Sequence, residues 1–434
     1  MKITVIGLGY LGATHAVAMA QLGHEVIGIE PDDKKREALA SGKLPFYEPG
    51  LDTALIEVIK QGNITFKAGH EQDSIEAELH FICVGTPQKQ GSNAADTKYL
   101  FAAIEALAPY LNENAVVVGK STVPVGTAKE LTNKLSTLVS FEPKLAWNPE
   151  FLREGTALED SLKPDRIVIG TEDSYSEKQI REVYKPITDN QQTPVLITDI
   201  PTAELVKAAA NSFLATKISF INAMAEIAEV SGADTVKLAE AIGMDDRIGK
   251  HFLRNGIGFG GGCLPKDIRG LMARAEELGV RHAFRFLDEV DQINLRRRKR
   301  VVDLAVEELG DVSGRKISML GATFKPDSDD LRDSPALSIA LELAELGAEV
   351  YVHDPVAVEY LRQNEKSLHA TENLEEALAD SELTILGTEW KEYKQLDPAK
   401  LSVKNKVVID GRNVLDRSAW ENAGWKLVAL GRGN

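Results

Sequence analysis

Residues 2–30 restrict the fold more than any other stretch. A short apolar strand pattern at 2–6 runs into Gly7-Leu8-Gly9-Tyr10-Leu11-Gly12. Helical periodicity follows from Leu11 to Leu22, and a second apolar run at 25–29 ends on Glu30. Strand, tight glycine turn, helix, strand and terminal acid, in this order, make up the dinucleotide-binding unit of a doubly wound sheet. Gly7 permits the turn, Gly9 lets backbone approach a pyrophosphate, and Gly12 lets the helix pack on the strand. The helix N-terminus offers amide donors and positive dipole to the phosphates. A carboxylate at Glu30 suits ribose hydroxyls and repels a 2′-phosphate, which selects NAD over NADP. Lys35 is close enough in sequence to contact the ribose or a phosphate as well.

The alternation continues. Residues 79–84 and 115–118 read as strands around a helix near 98–111, and 166–170 and 194–198 as further strands of the same parallel sheet. Residues 202–230 contain neither glycine nor proline. They predict one long helix, apolar on more than one face and therefore buried or at a subunit contact. A second long helical pattern covers 284–309. Strands then resume at 315–320, at 349–353 ending on Asp354, at 382–386 and at 406–410, with a helix at 335–346. This repeats the opening unit, but Gly321-Ala322-Thr323-Phe324-Lys325 lacks the three glycines, so a second NAD is not expected there. The fold class is α/β, with two Rossmann-like doubly wound parallel-sheet domains joined by a long central helix. The expected divisions are 1–200, 201–310 and 311–434.

Charge and cysteine content narrow the partners. Fifty basic against 66 acidic residues, net −16, argue against nucleic acid. The run Arg296-Arg297-Arg298-Lys299-Arg300 lies in a helical pattern and reads as a solvated face or a subunit contact. Cys83 and Cys263 are the two cysteines, with no CxxC, which fits a reducing compartment and no disulfide framework. No signal-like segment follows Met1, and no apolar run approaches the roughly 20 residues of a membrane helix. The expectation is a cytoplasmic protein with no membrane partner and no metal.

Chemistry concentrates in Gly258-Phe259-Gly260-Gly261-Gly262-Cys263-Leu264-Pro265-Lys266-Asp267. A thiol on a glycine run, with a lysine and a carboxylate behind it, is a candidate nucleophile. A glycine-rich turn that contains a cysteine is the other reading. Cys83, at the end of an apolar strand, reads as a small buried hydrophobe. Lys207 and Asn211 stack at i and i+4 in the long apolar helix, where two polar groups need partners. Glu150 and Glu154 would share a face if residues 147–155 were helical; the spacing alone favours an exposed acidic face, and the position after a strand end favours a pocket. Lys325, Arg332 and Arg412 lie on loops of the second sheet, as diphosphate ligands or solvated charges.

Six motifs in one order carry a match that spans essentially the whole chain. They are Gly7 to Gly12, Ser121-Thr122-Val123-Pro124-Val125-Gly126-Thr127, Asn148 to Glu154, Glu204 to Asn211, Gly258 to Asp267 and Phe324 to Arg332. Together they resemble the UDP-glucose/GDP-mannose dehydrogenase family. That resemblance implies an NAD-dependent four-electron oxidation of UDP-glucose at C6 to UDP-glucuronate. It would proceed through a thiohemiacetal and then a thioester on Cys263, in a homodimer. The same reaction on GDP-mannose, or a one-step hydroxyacid oxidation, is the alternative. The family pattern assigns Lys207 and Asn211 to oxyanion stabilisation and proton movement, Asp267 to water, and Glu150 and Thr122 to acid/base chemistry or a bound water. It places Tyr10, Leu11, Lys35, Thr86, Thr122, Glu154, Lys266 and Arg332 with the glycines and Glu30 around NAD. For the nucleotide-sugar it implies Glu150, Phe151, Leu152, Arg153 and Glu154, with Lys207 and Asn211. Arg254, Phe259, Gly260, Phe324, Lys325, Arg412 and a dimer-crossing Arg247 complete that set.

Overall fold

The structure, a computed structural model, describes residues 1–432. The chain divides into two compact units. The first holds Met1–Ala210 and Arg269–Gly279; the second holds Asn211–Ile268 and the chain from Val280 onward.

The first unit is built on strands β1 (Lys2–Ile6), β2 (Glu25–Ile29), β3 (Ile64–Lys67), β4 (Leu79–Ile82), β5 (Val116–Gly119), β6 (Lys144–Trp147), β7 (Ile167–Gly170) and β8 (Val195–Thr198). They lie in the order β3-β2-β1-β4-β5-β6-β7-β8. Strands β4, β5 and β7 are buried at every residue, as expected where helices cover both faces. The chain order reverses at β1, between β2 and β4, and such a switch point opens a crevice at the carboxyl ends of the strands. The sheet is not wholly parallel, contrary to the sequence reading. β6 and β7 meet antiparallel through Trp147 and Gly170, while β7 and β8 run parallel to each other. Between β6 and β7 the only helix is the six-residue Ala157–Leu162. A parallel crossover normally needs a fuller helix to carry the chain back across the sheet.

The second unit has a fully parallel sheet of β9 (Lys316–Leu320), β10 (Glu349–His353), β11 (His369–Thr371), β12 (Leu383–Leu386), β13 (Val407–Asp410) and β14 (Lys426–Ala429), in the order β11-β10-β9-β12-β13-β14. Its core joins Ile317 and Met319 of the central strand to Val301, Val302 and Ala305 of the helix Arg285–Leu309 and to Ile339, Ala340 and Leu343 of the helix Pro335–Glu345. The latter helix starts sharply. Ser334 caps it by accepting from Leu337 N, and Pro335 occupies the first turn.

The long helix is Ile200–Ser231, 32 residues, and continues from the first unit into the second after Ala210. In its second-unit part Phe213, Phe220 and Ile227 are 67%, 50% and 57% exposed. They recur every seven residues and so share a face. Among the described residues no helix is long and apolar enough to cross a membrane.

The basic run is only partly the solvated face that the sequence suggested: Arg296 and Lys299 are exposed. Arg297 and Arg298 are buried. Arg297 pairs with Glu229 at 2.7 Å, and Arg300 reaches the same carboxylate at 3.0 Å. Burial pushes the Glu229 carboxyl up, but Arg297, the Gly431 amide and Arg300 outweigh it and hold the group below its usual range. Cys83 is buried, and desolvation pushes its thiol up to about 12. That is the behaviour of an inert core residue.

Candidate active site

In the first unit the glycine turn has the geometry a dinucleotide needs. Gly7 adopts φ +85° and donates its N–H to Ile29 O at 2.9 Å. A Cβ on Gly12 would lie 1.8 Å from Gly7 O, so the helix Tyr10–Gln21 can press against the turn only without a side chain there. A Cβ on Gly9 would meet nothing within 4 Å, which leaves that side of the turn open to a ligand. Glu30 is buried, accepting from Leu8 N at 3.0 Å and Asp32 N at 3.1 Å. Each oxygen keeps acceptor capacity for a ribose hydroxyl. Lys35 is exposed on the helix Asp33–Ala40, where its N–H is capped by Asp32. The loops leaving β4 and β5 are tied together: Thr86 donates to Thr122 O at 2.6 Å and Ser121 to Val84 O at 2.6 Å. These residues fit NAD.

Residues 148–153 are irregular, so Glu150 and Glu154 do not share a helical face. Pro149 fixes the backbone and Asn148 is locked in place. Its Oδ1 accepts from buried Lys120 at 2.9 Å and from Tyr184 at 2.5 Å, and its Nδ2 donates to Val168 O at 2.8 Å. Glu150 instead pairs with Lys207 at 2.8 Å, both side chains nearly buried, and accepts from Leu152 N. Arg166 lies over the Phe151 ring at 3.8 Å. Arg153 is held by Asp160 through Nε and Nη2. Glu48 accepts from the Tyr10 hydroxyl and from the Gly155 and Ala157 amides, at 2.6 and 2.7 Å for the amides. It fastens residues 155–157 to the start of the Tyr10–Gln21 helix. Burial and the Glu48 carboxylate push the Tyr10 hydroxyl well up.

In the second unit Cys263 is exposed and immediately precedes the helix Leu264–Glu277; its carbonyl accepts from Asp267 N at 2.9 Å. Cys263 therefore stands at the N-terminal, positive end of a helix. Asp267 is buried one turn in. It accepts from Asn211 Nδ2 at 2.6 Å and from Lys266 Nζ at 2.7 Å. The partner that Asn211 needs in its apolar helix is thus this carboxylate. Arg332 chelates Asp330, and Lys325 Nζ lies 5.6 Å from the Phe324 ring centroid. Arg412 donates to Gly387 O, Gly258 O and Phe324 O at 2.8, 3.1 and 3.0 Å, stapling three loops. Arg254 is exposed. Arg247 is bound to Asp245 with an exposed side chain. At the end of β10, Asp354 takes the sequence place that Glu30 has in the first unit. One of its oxygens already accepts from Ala322 N, Thr323 N and Thr323 Oγ1, and the other from Val356 N and Ala357 N. No lone pair is left for a ribose, so the second sheet lacks a second NAD acceptor of that kind.

Three consecutive segments of the chain match domains of one family. Residues 1–188 match the UDP-glucose/GDP-mannose dehydrogenase family NAD binding domain, 201–296 its central domain and 318–417 its UDP binding domain. The chain belongs to this dehydrogenase family. It is 39% identical to UDP-glucose 6-dehydrogenase YwqF of Bacillus subtilis, over all of this chain and 98% of that one. It is 38% identical to UDP-glucose 6-dehydrogenase of Rhizobium meliloti, with both chains fully covered. The structure of a UDP-glucose dehydrogenase from Pyrobaculum islandicum has 38% identity and a TM-score of 0.90, covering all of this chain and 98% of that one.

In this dehydrogenase the glycine run before Cys263 is a site of close packing. It does not hold open space. A Cβ on Gly258 would lie 2.3 Å from Asn294 Oδ1, on Gly260 2.4 Å from Asp333 O, on Gly261 2.9 Å from the Phe324 ring and on Gly262 2.2 Å from Arg332 Cζ. These glycines let the loop pass close to the Arg285–Leu309 helix and to residues 324–335. Asn294, Arg297, Arg298, Asp330, Lys120 and Glu48 all hold this dehydrogenase's loops; Asp330 lies in the Phe324–Arg332 motif and Arg297 and Arg298 in the basic run, while Asn294, Lys120 and Glu48 belong to no motif singled out in the sequence. The one signal for these last three was a polar residue among apolar neighbours.

Proposed function

We propose that this dehydrogenase oxidises the C6 alcohol of UDP-glucose to the carboxylate of UDP-glucuronate by way of Cys263. The observation that carries the reading is an exposed thiol at the head of a helix, with a buried, hydrogen-bonded carboxylate one turn behind it. Full-length likeness to UDP-glucose 6-dehydrogenases supports the substrate. NAD, when bound, accepts the C6 hydride in each of the two oxidations. The first removes a hydride and the hydroxyl proton and leaves an aldehyde. The Cys263 sulfur adds to C6, forming a C–S bond, and the aldehyde oxygen takes up a proton. The second oxidation leaves a thioester; water then adds, the C–S bond breaks, and acid and thiol separate. Covalent capture keeps the aldehyde from escaping between steps.

Lys207, ion-paired with Glu150, offers positive charge and a proton route for the C6 oxygen. Asn211 offers an amide donor, and Asp267, bonded to Asn211 and Lys266, a carboxylate to orient the hydrolytic water. Thr122, held through its carbonyl by Thr86, belongs to the cofactor side. Incubation with NAD and UDP-glucose should yield two NADH per sugar and an acid product, with GDP-mannose turned over far more slowly. One NADH per sugar, or preference for GDP-mannose, overturns the reading.

The exposed stripe of Phe213, Phe220 and Ile227 supports a homodimer in which a second copy of this chain covers it. Light scattering should give twice the chain mass for the native protein and a shift toward monomer for Phe220→Asp. A native monomer refutes the dimer.

A further inference from the structure

We propose that Asn294 is a positioning residue for Cys263, acting through the backbone of the glycine loop. The inference rests on Cys263 being the nucleophile. Asn294, on the helix Arg285–Leu309, is fully buried. Its Oδ1 accepts from Phe259 N at 2.7 Å and its Nδ2 donates to Phe259 O at 2.9 Å. One side-chain amide thus satisfies both backbone groups of one loop residue, as a neighbouring β-strand would. The fit is reciprocal. Gly258 stands at φ +99°, and any Cβ there would collide with the same Oδ1.

The neighbouring turn of the helix extends the clamp. Arg298 donates to Phe259 O at 3.3 Å and Asp333 O at 3.1 Å, and Arg297 to Gly256 O at 3.4 Å. Farther along the loop, Gly261 N donates to Arg332 O at 2.9 Å and Gly262 N to Asp330 Oδ2 at 3.1 Å. The chain is then fastened at 256, 259, 261 and 262, and the next residue is Cys263. A loop of glycines has the largest conformational freedom to lose, so sulfur placement depends on these fastenings. An apolar residue could fill the Asn294 volume but would leave the buried Phe259 N–H without its partner and the C=O with only the longer bond from Arg298.

A displaced sulfur captures the aldehyde poorly, so the reading to take is the partition between the two oxidations. Asn294→Asp keeps the shape and the acceptor and removes the donor; Asn294→Ala removes both. With UDP-glucose and NAD, both variants should give NADH per sugar falling from two toward one, with aldehyde caught by an added hydrazide. Their kcat should fall on the order of 10²-fold, the scale of a misplaced reacting atom, while the KM for NAD stays unchanged. Iodoacetamide alkylation of Cys263 should change in rate and in pH profile. In the native protein the Phe259 amide should be among the slowest to exchange in deuterium. Folded variants with native stoichiometry and native alkylation overturn the proposal. So does fast exchange at Phe259, a result that does not depend on any variant folding. If the native enzyme itself yields one NADH per sugar, the proposed reaction fails, while the alkylation and exchange measurements still decide the clamp.

Discussion

Cys263→Ser should lose the second oxidation while keeping the protein folded. Cys263 is exposed and precedes its helix, so the substitution disturbs no core. The hydroxyl occupies the same helix end, but an alcohol ionises far less readily than a thiol, and an ester is a slower acyl donor than a thioester. Turnover to acid should fall on the order of 10⁴-fold or more, as when a covalent nucleophile is removed elsewhere. NADH per sugar should drop to one or below, with aldehyde or a slowly hydrolysed ester accumulating. Mass spectrometry of the stalled protein distinguishes these: an ester adds the nucleotide-sugar mass to the residue, and released aldehyde adds nothing. Full four-electron turnover by Cys263→Ser would remove the thiol from the mechanism.

Gly12→Ala should weaken NAD binding markedly. The added Cβ falls 1.8 Å from Gly7 O, a backbone atom that no side-chain rotation can move aside. Either the Tyr10–Gln21 helix shifts off β1, or the turn at Gly7 opens; both displace the amides that would face the pyrophosphate. Overpacking of this kind costs about 1–3 kcal/mol, so affinity should weaken up to about 100-fold. A fluorescence titration with NADH reads the change. Iodoacetamide labelling of Cys263, in the second unit, should proceed at the native rate. Native NADH affinity in Gly12→Ala would refute the pyrophosphate role of this turn.

Much of the molecule was legible in the sequence because its signals are local. Residues 2–30 hold a complete strand, turn, helix and strand, and the glycines, the periodicity and Glu30 all point one way. The second sheet was legible for the same reason, as was its failure to repeat the three-glycine fingerprint, beside which stands the saturated Asp354. The long helix was legible because nothing within 202–230 interrupts it.

Where a side chain's role depends on a distant partner, the local signal misled. Glu150 and Glu154 invited a helical pairing, yet Glu150 meets Lys207, 57 positions later in the chain. The arginine run resembled a wet surface because charge is usually solvated. Glu229 and the carbonyls of Gly256 and Phe259, all remote in sequence, make Arg297 and Arg298 interior supports, while Arg296 and Lys299 stay exposed. The reversal at β7 had no sequence marker.

The sequence by itself determined the two sheets, the central helix, the NAD turn and the cysteine on its glycine run. These depend on residues within a few turns of one another, where backbone conformation and side-chain period decide the outcome. Only the tertiary structure decided why the run is glycine. Its missing side chains are replaced by Asn294, Asp333, Phe324 and Arg332, and close packing between segments far apart in the chain leaves no mark in either segment alone.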